Sequence, residues 1–243
     1  MLDQARAELA PGGVLRAGIN MSNFLLVTGE TPEGDPDGVS PDMARAIAER
    51  LGVAVEFVPF KTPGELADAA VEDLWDIGNI GAEPERAKHI TFSPAYVEIE
   101  ATYLVPAGSP IQSVDEVDRE GIRIAVYDRS AYGLWLYDHI EHAELVPASG
   151  LSPSYDLFID QKLEALAGLR PRLVEDVKKL PGARVLDGKF TAVQQAIGTK
   201  PDRKAGVRFL RDFVEEVKAN GFVAGLIEKH GVVGRLSVAP PAD

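Results

Sequence analysis

The stretch LWDIGNIGAEPERAKHITFSPAY, residues 74–96, decides the fold because it places an apolar strand, a polar turn and an arginine in direct succession. The apolar run over 75–80 predicts a short buried strand. The sequence Gly-Ala-Glu-Pro at 81–84 predicts a turn that leads into a helix, with Pro84 at an early helical position. The stretch therefore predicts a strand followed closely by a helix start.

Arg86 comes directly after this turn. A guanidinium beside the unbonded backbone N–H groups at the start of a helix is suited to binding a carboxylate. The guanidinium can donate two parallel hydrogen bonds to it, and the helix dipole also favours an anion. A surface arginine paired with Glu83 or Glu85 explains the same residues equally well. The residues alone leave both interpretations open.

Strands and helices alternate along the first third of the chain. Strands are predicted over 14–19, 53–57 and 75–80, and helices over 42–51 and 62–73. Such alternation with short connections predicts a parallel open sheet with helices packed on its faces. Ligands of such sheets bind at the carboxyl ends of the strands.

Polar residues follow two of these strands. Asn20 and Asn23, with Phe24 beside them, come after the first strand, and Asn79 and Arg86 lie at the end of the third. Parallel strands end at the same edge of a sheet, so these residues are candidates for a ligand site. The two asparagines of the first loop are equally well explained as turn formers.

The chain has 243 residues, of which 45% are hydrophobic and 26% charged, a composition typical of a globular protein with one large domain or two lobes. Its net charge of −13 disfavours a nucleic-acid partner, because phosphate binding needs clustered Lys and Arg. There is no cysteine, which excludes disulfides and thiolate metal sites. The four histidines show no ligand spacing, so no metal or other cofactor is predicted.

The first residues, MLDQARAELAPGGVLRAGIN (1–20), contain neither the basic segment nor the apolar segment of a signal peptide. No window reaches the length of a membrane span. The expected location is the periplasm if a signal peptide was removed from this sequence, and the cytoplasm otherwise.

Two local expectations concern the ends of elements. Ser40 is expected to cap the helix over 42–51, with Pro41 at the first helical position. The Ala/Pro-rich tail after Ser237 is expected to be frayed.

Several residues of the opening stretch match the signature of a known family. The stretch resembles solute-binding proteins of the polar amino-acid type that serve ABC transporters, known as family 3. Their signature is a strand ending in Asp-φ-x-x, where φ is an apolar residue, followed by a Thr-x-x-Arg turn and then Phe-Ser-x-x-Tyr. The matching residues are Asp76, Arg86, Phe92, Ser93 and Tyr96, while Glu83 replaces the threonine.

This resemblance implies an α/β fold, the two-lobe type II periplasmic binding protein, in which each lobe is a mixed, mainly parallel sheet flanked by helices. The expected lobes are 1–98 with 192–243, and 99–191, joined by hinge strands near 97–105 and 190–196. In the family the ligand occupies a cleft between the lobes, which close over it by a hinge motion.

The resemblance also implies roles for individual residues. Arg86 would bind the α-carboxylate of an amino acid from the first lobe. In the second lobe, the strand over 122–127 leads to Ser130, whose hydroxyl would receive the carboxylate together with the helix-start N–H groups at Ala131 and Tyr132. Ser130 is explained equally well as a helix N-cap, and one residue can serve both purposes.

The chain departs from the family at three positions that concern the ligand. Arg129 replaces a glycine, Leu169 replaces the aspartate that binds the ligand ammonium, and Glu83 replaces the threonine. The ligand is therefore either a carboxylate without an amine, or an amino acid whose amine is bound elsewhere, with Glu83 as the substitute partner. The second interpretation is slightly favoured. The candidate ligand-binding residues are Arg86, Ser130, Glu83, Gly81, Asn79, Asn20, Asn23, Phe24, Ala131 and Tyr132.

The function that the resemblance implies is binding of a small anionic solute, an amino acid or related carboxylate, and its delivery to an ABC permease by a monomeric protein. A cytoplasmic solute sensor or scavenger of the same fold is one alternative. Another is an enzyme similar to cyclohexadienyl dehydratases, for which Glu83, Glu98 and Glu164 offer candidate acids. The sequence shows no Ser-His-Asp set, phosphate loop or metal motif, so no catalytic residue is predicted.

Overall fold

A computed structural model describes residues 2–242. The chain forms two compact units. Unit 1 combines the residues up to Glu98 with those from Gln194 onward, and unit 2 consists of Ile99–Val193. The chain therefore passes from one unit to the other twice, each time within a strand.

Helices and strands alternate along most of the described chain. The helices are α1 (Leu2–Leu9), α2 (Val39–Leu51), α3 (Pro63–Asp68), α4 (Ala131–His139), α5 (Leu151–Asp160), α6 (Arg170–Asp176), α7 (Lys204–Ala219) and α8 (Phe222–Lys229). The strands are β1 (Val14–Asn20), β2 (Gly29–Glu30), β3 (Pro36–Asp37), β4 (Ala54–Phe60), β5 (Ile77–Gly81), β6 (Thr91–Phe92), β7 (Val97–Val105), β8 (Arg123–Tyr127), β9 (Glu144–Ala148), β10 (Ala165–Leu169), β11 (Arg184–Val185), β12 (Thr191–Thr199) and β13 (Ser237–Val238). None of the helices in this part of the chain is both long enough and apolar enough to cross a membrane.

The sheet of unit 1 has the strand order β4-β1-β5-β12. β1 is parallel to both β4 and β5, which confirms the parallel arrangement predicted for residues 14–80. β12 is antiparallel to β5, and β6 is antiparallel to β12. Every residue of β5 is buried, as expected of a strand that helices cover on both faces.

Glycines on two neighbouring strands make room for the buried indole of Trp75. A Cβ at Gly18 or at Gly78 would lie 3.1 Å from atoms of this ring. The indole Nε1 donates to the carbonyl oxygen of Leu66 (3.0 Å). The ring therefore holds α3 against one face of the sheet by packing and by this hydrogen bond.

The carboxylate of Asp76, which is 1% exposed, anchors the amino end of β5. Its Oδ2 accepts from the backbone N–H and the Nε of Arg16, both at 3.0 Å. Its Oδ1 accepts from Arg16 Nη2 (2.9 Å) and Arg203 Nη1 (3.0 Å). The Thr199 hydroxyl donates to the Asp76 carbonyl oxygen (2.9 Å). These bonds join β1, β5, β12 and the segment that leads into α7.

The start of α2 differs from the sequence expectation. The helix begins at Val39, with Gly38 as an N-cap that provides no side-chain bond, so Ser40 and Pro41 lie in the first turn. The Ser40 hydroxyl is hydrogen-bonded to the Tyr96 hydroxyl (2.8 Å). The predicted Ser40 cap is wrong, because this tertiary contact takes the hydroxyl that a cap would need.

The C-terminal tail is held in place, which corrects the expectation that it is frayed. β13 pairs antiparallel with the first two residues of β7. The Ala239 N–H donates to the Tyr96 carbonyl oxygen (3.1 Å), and Lys218 Nζ donates to that of Pro240 (2.8 Å). Backbone hydrogen bonds to β7 therefore order the tail, although its composition did not indicate them.

The sheet of unit 2 has the order β7-β10-β8-β9. β8 is parallel to β9 and to β10, while β7 is antiparallel to β10. α4, α5 and α6 follow β8, β9 and β10 directly, so all three helices begin at the same edge of the sheet. Phe158 of α5 and Leu173 of α6 pack with Leu104 and Leu166 in the core on one face.

We expect Asp76→Asn to lower the free energy of unfolding by about 3–5 kcal/mol, because it removes the counter-charge of two arginines at a buried site. Urea denaturation of both proteins measures the difference. Asp73→Asn is the matched control. Asp73 binds the same group of cations, with Lys200 at 2.6 Å, but its side chain is 57% exposed, so the expected loss is below about 1 kcal/mol. Equal losses for the two variants would contradict the anchoring role.

Candidate functional site

The candidate residues are divided between the two units, at edges where parallel strands end. Unit 1 contains those that follow β1 and those at the end of β5, and unit 2 contains those at the start of α4. The unit 1 set is Asn20, Asn23, Phe24, Asn79, Gly81, Glu83 and Arg86, and the unit 2 set is Ser130, Ala131 and Tyr132.

The loop after β1 brings two asparagines to the carboxyl edge of the unit 1 sheet. Asn20 Oδ1 accepts from the backbone N–H (3.1 Å) and the hydroxyl (2.7 Å) of Ser22, and Asn23 Oδ1 accepts from the Leu25 N–H (3.2 Å). Both side chains therefore form local turns. Their Nδ2 groups bond to none of the described residues, so both donors are available to a ligand. Phe24 is half-buried in the same loop.

Arg86 is 5% exposed and is therefore not a surface arginine. Its Nη1 donates to the carbonyl oxygen of Gly81 at the end of β5 (2.7 Å). The predicted helix after the turn is reduced to one 3-10 turn, Arg86–Lys88. The guanidinium thus lies at the carboxyl edge of the sheet, but no long helix adds its dipole there.

Glu83 and Glu85 differ in their surroundings. Glu83 is half-buried, and its carbonyl oxygen accepts from the Ala87 N–H (2.9 Å). Glu85 is exposed and forms an ion pair with Lys88. Of the two glutamates, Glu83 is the one enclosed in the turn that carries Arg86.

Asn79 is a buried amide without hydrogen bonds. It is 2% exposed, and neither its Oδ1 nor its Nδ2 bonds to any residue that the structure describes. Its partners across the ladders are Ile19 and Ile197. Strand alternation places it on the face opposite Trp75 and Ile80. An amide left unsatisfied in such surroundings costs about 1–3 kcal/mol, which calls for a functional explanation.

In unit 2, Ser130 is the N-cap of α4. Its hydroxyl donates to the Tyr127 carbonyl oxygen (2.7 Å) and accepts from the Gly133 N–H (3.0 Å). The backbone N–H groups of Ala131 and Tyr132 bond to none of the described residues. These two groups remain available at the positive end of the helix dipole.

The turn before α4 contains a non-glycine residue with a positive φ. Arg129 has a φ of 57°, in the left-handed region that glycine adopts without strain. Gly133, by contrast, is required by close packing. A Cβ there would lie 2.6 Å from the Tyr127 carbonyl oxygen and 2.9 Å from Ser130 Oγ. Glycine at this position therefore permits the compact cap.

The end of β10 carries an apolar residue followed by two arginines. Leu169 is 7% exposed and provides no side-chain cap for α6. Arg170 Nε donates to Glu100 (2.9 Å), and Arg172 Nε donates to Asp176 Oδ2 (2.8 Å). Both arginines were missed in the sequence, although arginines placed directly after a strand of a parallel sheet are a usable signal.

One group of side chains has the composition of a metal site. Asp37, Asp42 and His230 offer ligand atoms within 4.8 Å of one another. The two oxygens of Asp42 already accept from Arg45 (2.9 Å) and Lys229 (2.7 Å). These cations balance the carboxylate, so the group is explained as an ion-pair cluster that joins α2 to the end of α8.

The chain belongs to the bacterial extracellular solute-binding proteins, family 3, whose family model matches residues 15–233. This match confirms the resemblance drawn from the sequence. No curated protein sequence is significantly similar to the chain.

Solved structures with the same fold cover nearly all of the chain. A solute receptor for L-cysteine from Neisseria gonorrhoeae is 19% identical, with a TM-score of 0.76 over 98% of this chain and 99% of that one. A lysine-complexed binding component of an ABC transporter from Wolinella succinogenes is 19% identical, with a TM-score of 0.73 over 89% and 95%. The ancestral amino acid-binding protein AncCDT-1, a precursor of cyclohexadienyl dehydratase, is 22% identical, with a TM-score of 0.72 over 94% and 98%. The fold is that of the two-lobe type II periplasmic binding proteins, as predicted.

We expect Asn79→Leu to raise the free energy of unfolding of the ligand-free protein by about 1–2 kcal/mol, because leucine has a similar size and leaves no polar group unsatisfied. Urea denaturation measures the change. Thr199→Val is the matched control. The Thr199 hydroxyl is buried but satisfied by the Asp76 carbonyl oxygen (2.9 Å), so its removal should cost about 1 kcal/mol. A comparable loss for Asn79→Leu would show that the amide is satisfied.

Proposed function

We propose that the protein binds a small carboxylate, either an amino acid or a close relative. The observation that carries the proposal is the burial of Arg86 at the carboxyl edge of the unit 1 sheet. A buried guanidinium is stabilised by hydrogen-bond acceptors, and the Gly81 carbonyl oxygen is one of them. A carboxylate, which the guanidinium can bind through two parallel hydrogen bonds, suits this group best.

The other available groups in the candidate set support an anionic ligand. Asn20 and Asn23 offer Nδ2 donors in unit 1, and Ala131 and Tyr132 offer N–H donors in unit 2. Groups of hydrogen-bond donors such as these favour an anion. Proteins of the same fold bind L-cysteine and lysine, both of which carry a carboxylate.

We infer that the ligand also carries an amine, and that Glu83 is its partner. Leu169, at the family's ammonium-binding position, offers no charge and is 7% exposed. Glu83 lies in the same turn as Arg86, so one turn would serve both the carboxylate and the amine of an amino acid.

Arg86→Lys tests the carboxylate assignment. We expect about a ten- to hundredfold loss of affinity for amino acids, because lysine keeps the positive charge but cannot donate two parallel hydrogen bonds to one carboxylate. Thermal shift of ligand-stripped protein against the twenty amino acids identifies ligands, and calorimetry then gives dissociation constants. Lys88→Met, which removes an exposed cation from the same 3-10 turn, should leave binding unchanged. Unchanged affinity in Arg86→Lys would refute the assignment.

Glu83→Gln tests the amine assignment. We expect the affinity for an amino acid to fall about tenfold or more, because its amine loses a charged partner. The affinity for the matched carboxylate that lacks the amine should change little. Alanine with propionate is one such matched pair. Glu85→Gln, at the exposed neighbour, is the control. If Glu83→Gln keeps its affinity for amino acids, the amine is bound elsewhere.

The contacts of the candidate acids favour binding over turnover. Glu98 accepts from Gln194 Nε2 (2.8 Å), and Glu164 accepts from both Nε and Nη2 of Arg123 (2.9 Å). The hydrogen bond from Arg123 lowers the pKa of Glu164. A carboxyl group that stays ionised is a poor general acid at neutral pH. Turnover of prephenate or arogenate, followed by absorbance, would contradict this part of the proposal.

We further propose that the bound solute is delivered to an ABC permease outside the cytoplasm, as the family description of extracellular solute-binding proteins suggests. Ligand-dependent stimulation of ATP hydrolysis by a reconstituted permease is the measurement. Equal stimulation with and without ligand would count against delivery.

A further inference from the structure

Unit 2 contains a cavity of about 310 Å³, at the lower end of the range of small-molecule sites. All of its lining residues belong to Ile99–Val193, so the cavity lies within one unit. Its aromatic lining residues are Tyr103 of β7, Trp135 and His139 of α4, and Phe190, which precedes β12. The ring centroid of Phe190 lies 4.6 Å from that of Tyr103 and 5.4 Å from that of Trp135. These three rings therefore form one continuous aromatic surface.

The cavity extends away from the start of α4. Asp118, another of its lining residues, accepts from the three consecutive backbone N–H groups at 141–143, over distances of 2.8–3.1 Å. This segment directly precedes β9, which is parallel to β8. Asp118 therefore lies at the amino edge of the parallel strands, whereas α4 begins at their carboxyl edge.

Several polar groups that line the cavity are available to a ligand. The side chain of Asp115 is exposed and bonds to none of the described residues. Tyr103 is 2% exposed, and its hydroxyl also has no hydrogen bond within the described chain. Burial raises the pKa of Tyr103, and the charge of Asp118 raises it further, so the hydroxyl stays neutral. The carboxylate of Asp118 bonds only to neutral backbone groups, which do not cancel its charge.

The lining favours acceptors and negative charge. His139 Nδ1 donates to the Trp135 carbonyl oxygen (2.7 Å), so Nε2 of the neutral imidazole is an acceptor. Lys189 adds one positive charge to the lining, and its Nζ lies 3.7 Å from Glu100 Oε1. The two aspartates of the lining outnumber this lysine. These groups are the reverse of the N–H donors at the start of α4.

We propose that this cavity binds a small organic cation, an ammonium or guanidinium group on an apolar body. Asp115 and Asp118 attract the charged nitrogen, and the Tyr103 hydroxyl accepts one of its hydrogens. The rings of Trp135 and Phe190 contact the apolar body, and the negative charge on aromatic faces also favours a cation. This site is additional to the carboxylate site, because a cation and an anion need opposite partners.

Benzylammonium and benzyl alcohol test the cation site, because they share a ring and differ in the charged group. Both lack a carboxylate, so neither offers Arg86 an anion. The chain has two tryptophans, of which Trp75 is 0% exposed and Trp135 lines the cavity. We expect benzylammonium to change the fluorescence of Trp135. Calorimetry on the full chain should show that it binds at least about tenfold more tightly than the alcohol.

Two variants that preserve the packing locate the site. Asp115→Asn should weaken benzylammonium binding about two- to fivefold and leave that of benzyl alcohol unchanged. Tyr103→Phe should weaken it about two- to tenfold without lowering the melting temperature, because the hydroxyl has no partner in the described chain. Asp156→Asn is the matched control. It removes the same charge from an exposed position on α5 of unit 2 and should keep the full affinity.

Each of several outcomes would overturn the cation site. Equal binding of benzylammonium and benzyl alcohol removes the role of charge. Full affinity in both folded variants, or unchanged tryptophan fluorescence on binding, places the amine outside this cavity. An equal loss in Asp115→Asn and Asp156→Asn reduces the effect to general attraction by an acidic protein. The proposed binding of a carboxylate stands or falls separately, with the Arg86→Lys measurement.

Discussion

Unit 1 depends on the ion pairs and hydrogen bonds that the buried carboxylate of Asp76 forms. This carboxylate binds arginines that lie 60 and 127 positions away in the sequence, so it joins the first strand, the central strand and the segment before α7. By fixing the amino end of β5, it also fixes where the opposite end places Gly81 and Arg86. An aspartate of the family signature therefore acts through charge balance at one end of a strand whose other end carries the candidate site residues.

Hydrogen-bond satisfaction divides the candidate residues into two groups. The Ser130 hydroxyl and the side-chain oxygens of Asn20 and Asn23 are engaged in caps and turns. The amide of Asn79 and the hydroxyl of Tyr132 are buried and unengaged in the described chain. Residues of the first group shape the backbone, whereas those of the second carry an energetic cost that a bound ligand or water would remove. Recognition by this protein is therefore best sought among the unengaged groups.

Local sequence patterns were sufficient to predict the elements whose structure depends mainly on nearby residues. The strand over 14–19 and the body of the helix over 42–51 were predictable, as was the parallel order of the first strands, because short connections allow few alternatives. The predictions failed where a distant residue competed for a local group. Tyr96 takes the hydroxyl of Ser40 and also binds the tail at Ala239. Neither contact can be predicted from the residues that are adjacent in the sequence.

The sequence by itself determined the fold class and the family, since these follow from periodicity and from a contiguous motif, and it singled out Arg86 as a candidate. Only the tertiary structure decided which polar atoms remain available and which charges meet. Tyr132 and Arg172 are 40 positions apart, and the first turns of the helices that contain them share one edge of the sheet because β8 and β10 pair in parallel. Burial and charge at the ligand edge depend on such pairing, which the sequence of either segment does not contain.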